Sequence, residues 1–137
     1  MESWELLTEA TIDAIHLEQT KKEIRIDVTC RWNGEQHKQI IAKGVDDFVV
    51  SEMRLSNIID CVSHFDAGGG EEDQTARRLF FLIRGHEPSA SDLKWPVLLE
   101  KLGRIRDGTL SFMELEPVYG ATIILLAESI QLQPLGE

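Results

Sequence analysis

The stretch Ile24-Arg25-Ile26-Asp27-Val28-Thr29-Cys30-Arg31-Trp32 alternates apolar and polar residues without a break and runs directly into Asn33-Gly34. A period of two closed by an Asn-Gly turn constrains these residues to one arm of a β-hairpin with one face buried. The return arm fixes the register. A two-residue loop sets Trp32 against Glu35 and Cys30 against His37, which matches the apolar face to polar residues. A three-residue loop of Trp32-Asn33-Gly34 pairs Ile26 with Ile40, Ile24 with Ala42 and Arg31 with Glu35, and it requires Gly34 at positive φ. The bulged hairpin is therefore expected.

Around this hairpin the pattern predicts further strands. Residues 11–17 read as a strand with Ile12, Ala14 and His16 on one face and Asp13, Ile15 and Leu17 on the other. Gly44 interrupts the return arm, and Val45, Phe48, Val49 and Val50 suggest a bent continuation with Asp46-Asp47 at the corner. Residues 55–62 fit a half-buried strand and one helical face equally well. Ala67-Gly68-Gly69-Gly70-Glu71-Glu72-Asp73 reads as an exposed loop. Leu79-Phe80-Phe81-Leu82-Ile83 is a short continuous apolar run, expected as a strand buried on both faces. One long helix is expected over 96–107, with Pro96 in its first turn, a stripe of Trp95, Leu98, Leu99, Leu102 and Ile105, and a stop at Asp107-Gly108. Gly103 inside it suggests close approach of a neighbouring backbone. Strands over 109–115 and 121–132, with a turn at 117–120, close the chain. The expected fold class is α+β: one domain over 1–137, built on a mainly antiparallel sheet of about six strands with one principal helix packed on one face.

Charge and cysteine usage narrow the function classes. Fourteen Lys and Arg against twenty-four Asp and Glu leave a net charge of −10, which repels a nucleic-acid backbone and suits a basic partner. The two cysteines, Cys30 and Cys61, match no C-x-x-C spacing, so neither redox chemistry nor zinc is indicated. The N-terminus lacks a secretory pattern, and no apolar run approaches the length of a membrane span. A cytoplasmic protein with no membrane and no nucleic-acid partner is the expectation.

The residues that could carry chemistry form no recognisable site. His16, His37, His64 and His86 share no ligand spacing. Ser63-His64-Phe65-Asp66 contains the residue types of a hydrolase triad, but such triads are assembled from distant segments and no nucleophile elbow exists. The triple glycine is followed by acids rather than by Lys-Ser or Lys-Thr, so it is not a phosphate loop. Asp46, Asp47, Glu71, Glu72 and Asp73 lack the ligand order of a calcium loop. Arg77, Arg78 and Arg84 bracket Phe80-Phe81 as edge protection rather than as a base-stacking surface. No catalytic, cofactor-binding or metal-binding residue is therefore expected, and no cofactor.

The order of a strand, a hairpin, Gly44-Val45-Asp46-Asp47-Phe48 and Leu55-Ser56-Asn57-Ile58-Ile59 resembles a group of small bacterial proteins of unknown function, some of which are similar to toxin-immunity proteins. The resemblance implies a protein partner and supplies no catalytic or ligand residue. The leading expectation is a non-catalytic protein-interaction module, immunity-like in its most specific form, acting on a protein partner or as a homodimer. The alternatives are an enzyme for a small molecule or a metal-dependent one, with a site assembled from scattered His and carboxylate residues, and a purely structural homodimer. The candidate interface comprises Trp4, Ile15, Leu17, Trp32 and Ile41: the tryptophans sit where burial is difficult, and the aliphatic residues fall on the face opposite the expected core.

Overall fold

A computed structural model describes residues 4–31, 34–65 and 72–135. Six antiparallel strands, β1 (Thr11–Glu18), β2 (Glu23–Cys30), β3 (Gln36–Ser51), β4 (Ile58–Phe65), β5 (Ser111–Tyr119) and β6 (Thr122–Pro134), close into a barrel in the order β1-β2-β3-β6-β5-β4. Two helices, α1 (Glu72–Arg84) and α2 (Pro96–Arg106), lie between β4 and β5 in the chain. A short 3-10 turn, Trp4–Leu7, precedes β1 and buries Leu7 against the barrel core.

The β2–β3 hairpin has the expected register, with Ile26 opposite Ile40 and Ile24 opposite Ala42. Gly34 has φ +93, while the other two turn residues, Trp32 and Asn33, lie outside the described residues. Beyond this hairpin β3 continues through Gly44 at φ +62, where an added Cβ would collide with the Glu128 side chain. Here the strand leaves β2 and follows β6, with Asp46 as an extra residue between the pairs Val45–Ala127 and Asp47–Leu126. Glycine and bulge together bend one long strand so that it serves both halves of the barrel wall.

The core has two compartments that share one sheet. Ile123, Leu125 and Ala127 of β6 point into the barrel beside Ile26, Ile40 and Met113. The alternate residues Ile124 and Leu126 point outward and pack with Phe112 under the two helices. This two-sided burial explains why β6 reads as a continuous apolar run.

The run at 79–83 is a correction to the expected architecture. It is the C-terminal half of α1, so the barrel carries two helices rather than one principal helix. Ala76, Leu79, Phe80 and Leu82 are buried, and with Ile83 they follow helical spacing once the upstream residues are included. Asp73 pairs with Arg77 one turn on, at 2.9 Å, and Gly85 at φ +80 ends the helix. In α2, Leu98, Leu102 and Ile105 are buried as expected, but Leu99 is half exposed. Nothing lies within 4 Å of a Cβ built on Gly103, so that glycine is not set by close packing. The segment at 55–62 resolves into a loop followed by β4, and Pro117, Val118 and Tyr119 belong to β5, leaving the turn at Gly120 with φ +91.

Candidate functional site

The barrel closes on unequal terms. β3 and β6 pair along nearly their whole length, whereas β1 meets β4 at the single pair Thr11–Ile58. Three backbone hydrogen bonds reinforce that seam: Glu9 N–H to Ile59 O at 2.7 Å, Ile12 N–H to Asn57 O at 2.9 Å, and Ile59 N–H to Ala10 O at 2.9 Å. Past Ile12, β1 stays paired with β2 on one side and has no strand partner on the other among the described residues.

β1 also contains a bulge that the alternation alone does not reveal. Asp13 is an extra residue between the pairs Ile12–Val28 and Ala14–Asp27, so the strand changes phase there. Ile15 and Leu17 consequently stand opposite the inward residues Ile26 and Ile24, not on the outer face as expected. Ile15 is partly buried against the barrel core, while Leu17 is 64% exposed because the wall is open beside it. Ile41 does face outward, between Arg25 and Gln131, but it is only 7% exposed. Its two neighbours have long stems of the kind that cover apolar surface while keeping their heads wet. Trp4 is half-buried and meets the His64 ring edge-on at 5.2 Å, so it serves as a plug over the seam. Trp32 lies outside the described residues. The four expected interface residues that are described, Trp4, Ile15, Leu17 and Ile41, therefore form no common exposed face.

The outer face of β1–β2–β3 carries hydrogen-bonded polar chains. His16 Nε2 is 2.9 Å from Asp27 Oδ2, whose other oxygen accepts from Gln39 Nε2 at 2.7 Å. Thr29 Oγ1 donates to Asp13 at 2.5 Å and lies 3.1 Å from His37 Nδ1. With its proton committed to a carboxylate and only 5% exposure, Thr29 bridges strands and is no accessible nucleophile. Ser63 and His64 belong to opposite faces of β4: Ser63 bonds Glu116 outside, and His64 packs on Trp4. Strand geometry thus separates the triad residue types, and Asp66 lies outside the described residues. Burial holds the His64 pKa below the ordinary imidazole value, so the ring is neutral at physiological pH. Burial, followed by the Glu116 carboxylate, raises the Cys61 thiol, which leaves this exposed cysteine a poor nucleophile.

Of the acids at 46, 47 and 71–73, those among the described residues do not converge. Asp46 pairs with Lys101, Glu72 with Arg106 at 3.3 Å and Asp73 with Arg77, while Glu71 lies outside the described residues. Arg78 reaches from α1 to Glu114 of β5 through two hydrogen bonds of 3.0 and 2.9 Å, tying helix to barrel. Among the described residues no group of three or more His, Cys, Asp or Glu side chains is placed to hold a metal, and no helix is long and apolar enough to cross a membrane. Among the described residues open grooves of about 440, 480 and 420 Å³ lie beside Trp95, Leu110 and Trp4 respectively.

A different surface emerges at the end of the barrel where β3 passes to β4 and β5 to β6. Among the described residues seven large hydrophobic side chains are exposed; two of them, Met53 and Leu55, belong to the β3–β4 connection, and two more, Val118 and Tyr119, end β5 just before the turn to β6. The loops are locked together by Asn57, which is 2% exposed. Its Oδ1 accepts from the backbone N–H groups of Arg54 at 3.0 Å and Ala121 at 2.9 Å, and its Nδ2 donates to Arg54 O at 2.7 Å. A side chain at Gly120 would collide with that Oδ1. The Arg54 guanidinium then lies 5.4 Å from the centroid of the Tyr119 ring. The available sequence signal was the pair of apolar residues inside the otherwise polar Glu52-Met53-Arg54-Leu55-Ser56-Asn57. No family model, curated protein or solved structure matches the chain.

Proposed function

We propose that the chain is a non-catalytic protein-binding module and that Met53, Leu55, Val118 and Tyr119 form its contact surface. The exposed apolar residues on a clamped loop and on the adjoining end of β5 carry this reading, because ordered apolar surface is what a partner can bury without a large ordering cost. Tyr119 with Arg54 against its ring supplies the residue types that dominate binding energy at interfaces. The net charge of −10 supports a basic partner, whose encounter with the protein would be electrostatically steered. In the immunity-like form of this proposal the partner is a basic toxin.

The test compares tagged wild-type protein with a Met53→Asp, Leu55→Asp double variant as bait in the cell that makes the protein. Both side chains lie outside the core, so the variant should keep its melting temperature. The expected result is a basic protein recovered stoichiometrically by the wild type and lost with the variant. Equal recovery by both baits, or by neither, overturns the proposal. A mass of two chains in light scattering, abolished by the same variant, would assign the cluster to a second copy.

A further inference from the structure

We propose that the free edge of β1 accepts an extended basic polypeptide segment as an added strand, which runs past Leu17 toward the loop bearing Met53 and Leu55. The proposal rests on the protein-binding function above and gives it a mode of recognition and a partner chemistry.

The edge is vacant for a geometrical reason. Antiparallel pairing continued from Thr11–Ile58 would bring residues 51–56 opposite residues 13–18 of β1. The chain does not continue that way, because Asn57 clamps a turn onto Arg54 and directs the preceding loop elsewhere. What remains is half a strand with one row of backbone donors and acceptors unpaired by any strand among the described residues, ending beside that loop. Such an edge is a template for β-addition. The phase change at Asp13 gives it a sided character: an added strand that continued the barrel wall would set its inward residues beside Leu17, which now stands 64% exposed next to Ile15. Alternate apolar residues in the incoming segment are thereby favoured.

The remaining positions are selected by charge. Asp13 and Glu18 lie on the edge strand itself, Glu9 two residues before its start, and Asp60 follows the seam on β4. His16 is engaged with Asp27, and Lys21 pairs with Glu18 at 3.5 Å in solvent, where the pair is screened. Arg25, opposite His16, is paired with Glu23 at 2.6 Å, and Arg54 lies over the Tyr119 ring; the carboxylates at the edge, on a chain of net charge −10, repel a second copy and favour Lys or Arg between the apolar residues of a partner.

The probe is a synthetic heptapeptide of alternating Lys and Val, titrated into the isotopically labelled full-length chain and followed by amide NMR and hydrogen exchange. Two control peptides replace Val by Pro, which removes strand donors but keeps the charge, or Lys by Glu. Binding of the Lys-Val peptide should shift the amides of residues 13–18 and slow their exchange about tenfold or more, with a dissociation constant below about 1 mM that weakens as salt is added. Neither control should do so, and a double substitution of Asp13→Asn and Glu18→Gln should weaken the Lys-Val peptide about threefold or more. Shifts confined to Met53, Leu55, Val118 and Tyr119 would overturn strand addition while supporting the protein-binding function. No response at about 1 mM peptide overturns strand addition alone, since the bait comparison decides the function independently. Exchange protection of residues 13–18 in the free chain, together with a mass of two chains, would show the edge occupied by a second copy and would also overturn it.

Discussion

The β3–β6 wall and the β1–β4 seam are made of the same kind of strand, yet they differ in almost everything that stabilises a sheet. The wall pairs from Lys38–Pro134 to Ser51–Thr122, and its half around Val49, Ile124 and Leu126 is covered on both faces, by the barrel core and by the two helices. The seam has one residue pair, three flanking hydrogen bonds and a plug of Trp4, Leu6 and Leu7. Burial on two faces removes water from both sides of the ladder, so opening the wall exposes far more apolar surface than parting the seam. The protein therefore concentrates its stability in one part of the barrel and leaves the other accessible, a division commonly seen where one element must meet a partner.

The strongest way to break this comparison is Phe112→Ala, which removes a 2%-exposed ring that packs on Phe65 at 4.8 Å beneath the helices. It should destabilise the fold by about 3–5 kcal/mol in denaturant titration; a loss below about 1 kcal/mol would mean the outer compartment is not core. Next comes Asn57→Ala at the seam, which strips partners from the backbone N–H groups of Arg54 and Ala121. A loss of about 1–3 kcal/mol is expected, with faster amide exchange in both loops. Leu17→Ser should change stability by no more than about 0.5 kcal/mol, because the side chain is already largely in water. An effect as large as that of Phe112→Ala would show the seam to be closed in solution.

The smallest effect sharpens the contrast within the wall itself. Asp47 at the β3 bulge has its pKa raised, chiefly by burial and further by Asp46, while the Phe48 N–H and Lys101 oppose the rise. A carboxyl whose folded pKa exceeds its unfolded one favours the folded state below the unfolded value, ordinarily 3.8, and that contribution is lost as pH rises through the folded pKa. Asp47→Asn should therefore stabilise the protein at neutral pH, with the advantage shrinking on acidification, as measured by melting temperature against pH. The wall tolerates this charge because its pairing does not depend on any one residue.

The β2–β3 hairpin and the bend that carries β3 along the wall were legible in the sequence, and little of the seam was. The Ile26–Ile40 register followed from matching apolar residues across one ladder, and Gly44 marked the bend because a left-handed backbone favours glycine there. The helix at 79–83 was missed because five consecutive apolar residues satisfy a buried strand as well as half a helical stripe; including Ala76 breaks the tie. Barrel closure was hidden, since Thr11 and Ile58 carry no mark of pairing with each other. The face of Ile15 and Leu17 was misjudged for a similar reason: they were assigned by parity, and parity counts residues without seeing an extra one. Asn57 could not be distinguished from an ordinary loop asparagine until its two partner segments were brought together.

That extra residue, Asp13, makes the N-terminal strand sensitive to length everywhere except at the bulge itself. Deleting Asp13 would leave Ile12 opposite Val28 and Ala14 opposite Asp27, a regular ladder with Ile15 and Leu17 still on the inward face. Removing one residue between Ala14 and Leu17 would instead turn part of the strand over and exchange inward for outward side chains. Among related sequences a single-residue gap should therefore be accepted at position 13 and rejected at the positions that follow it.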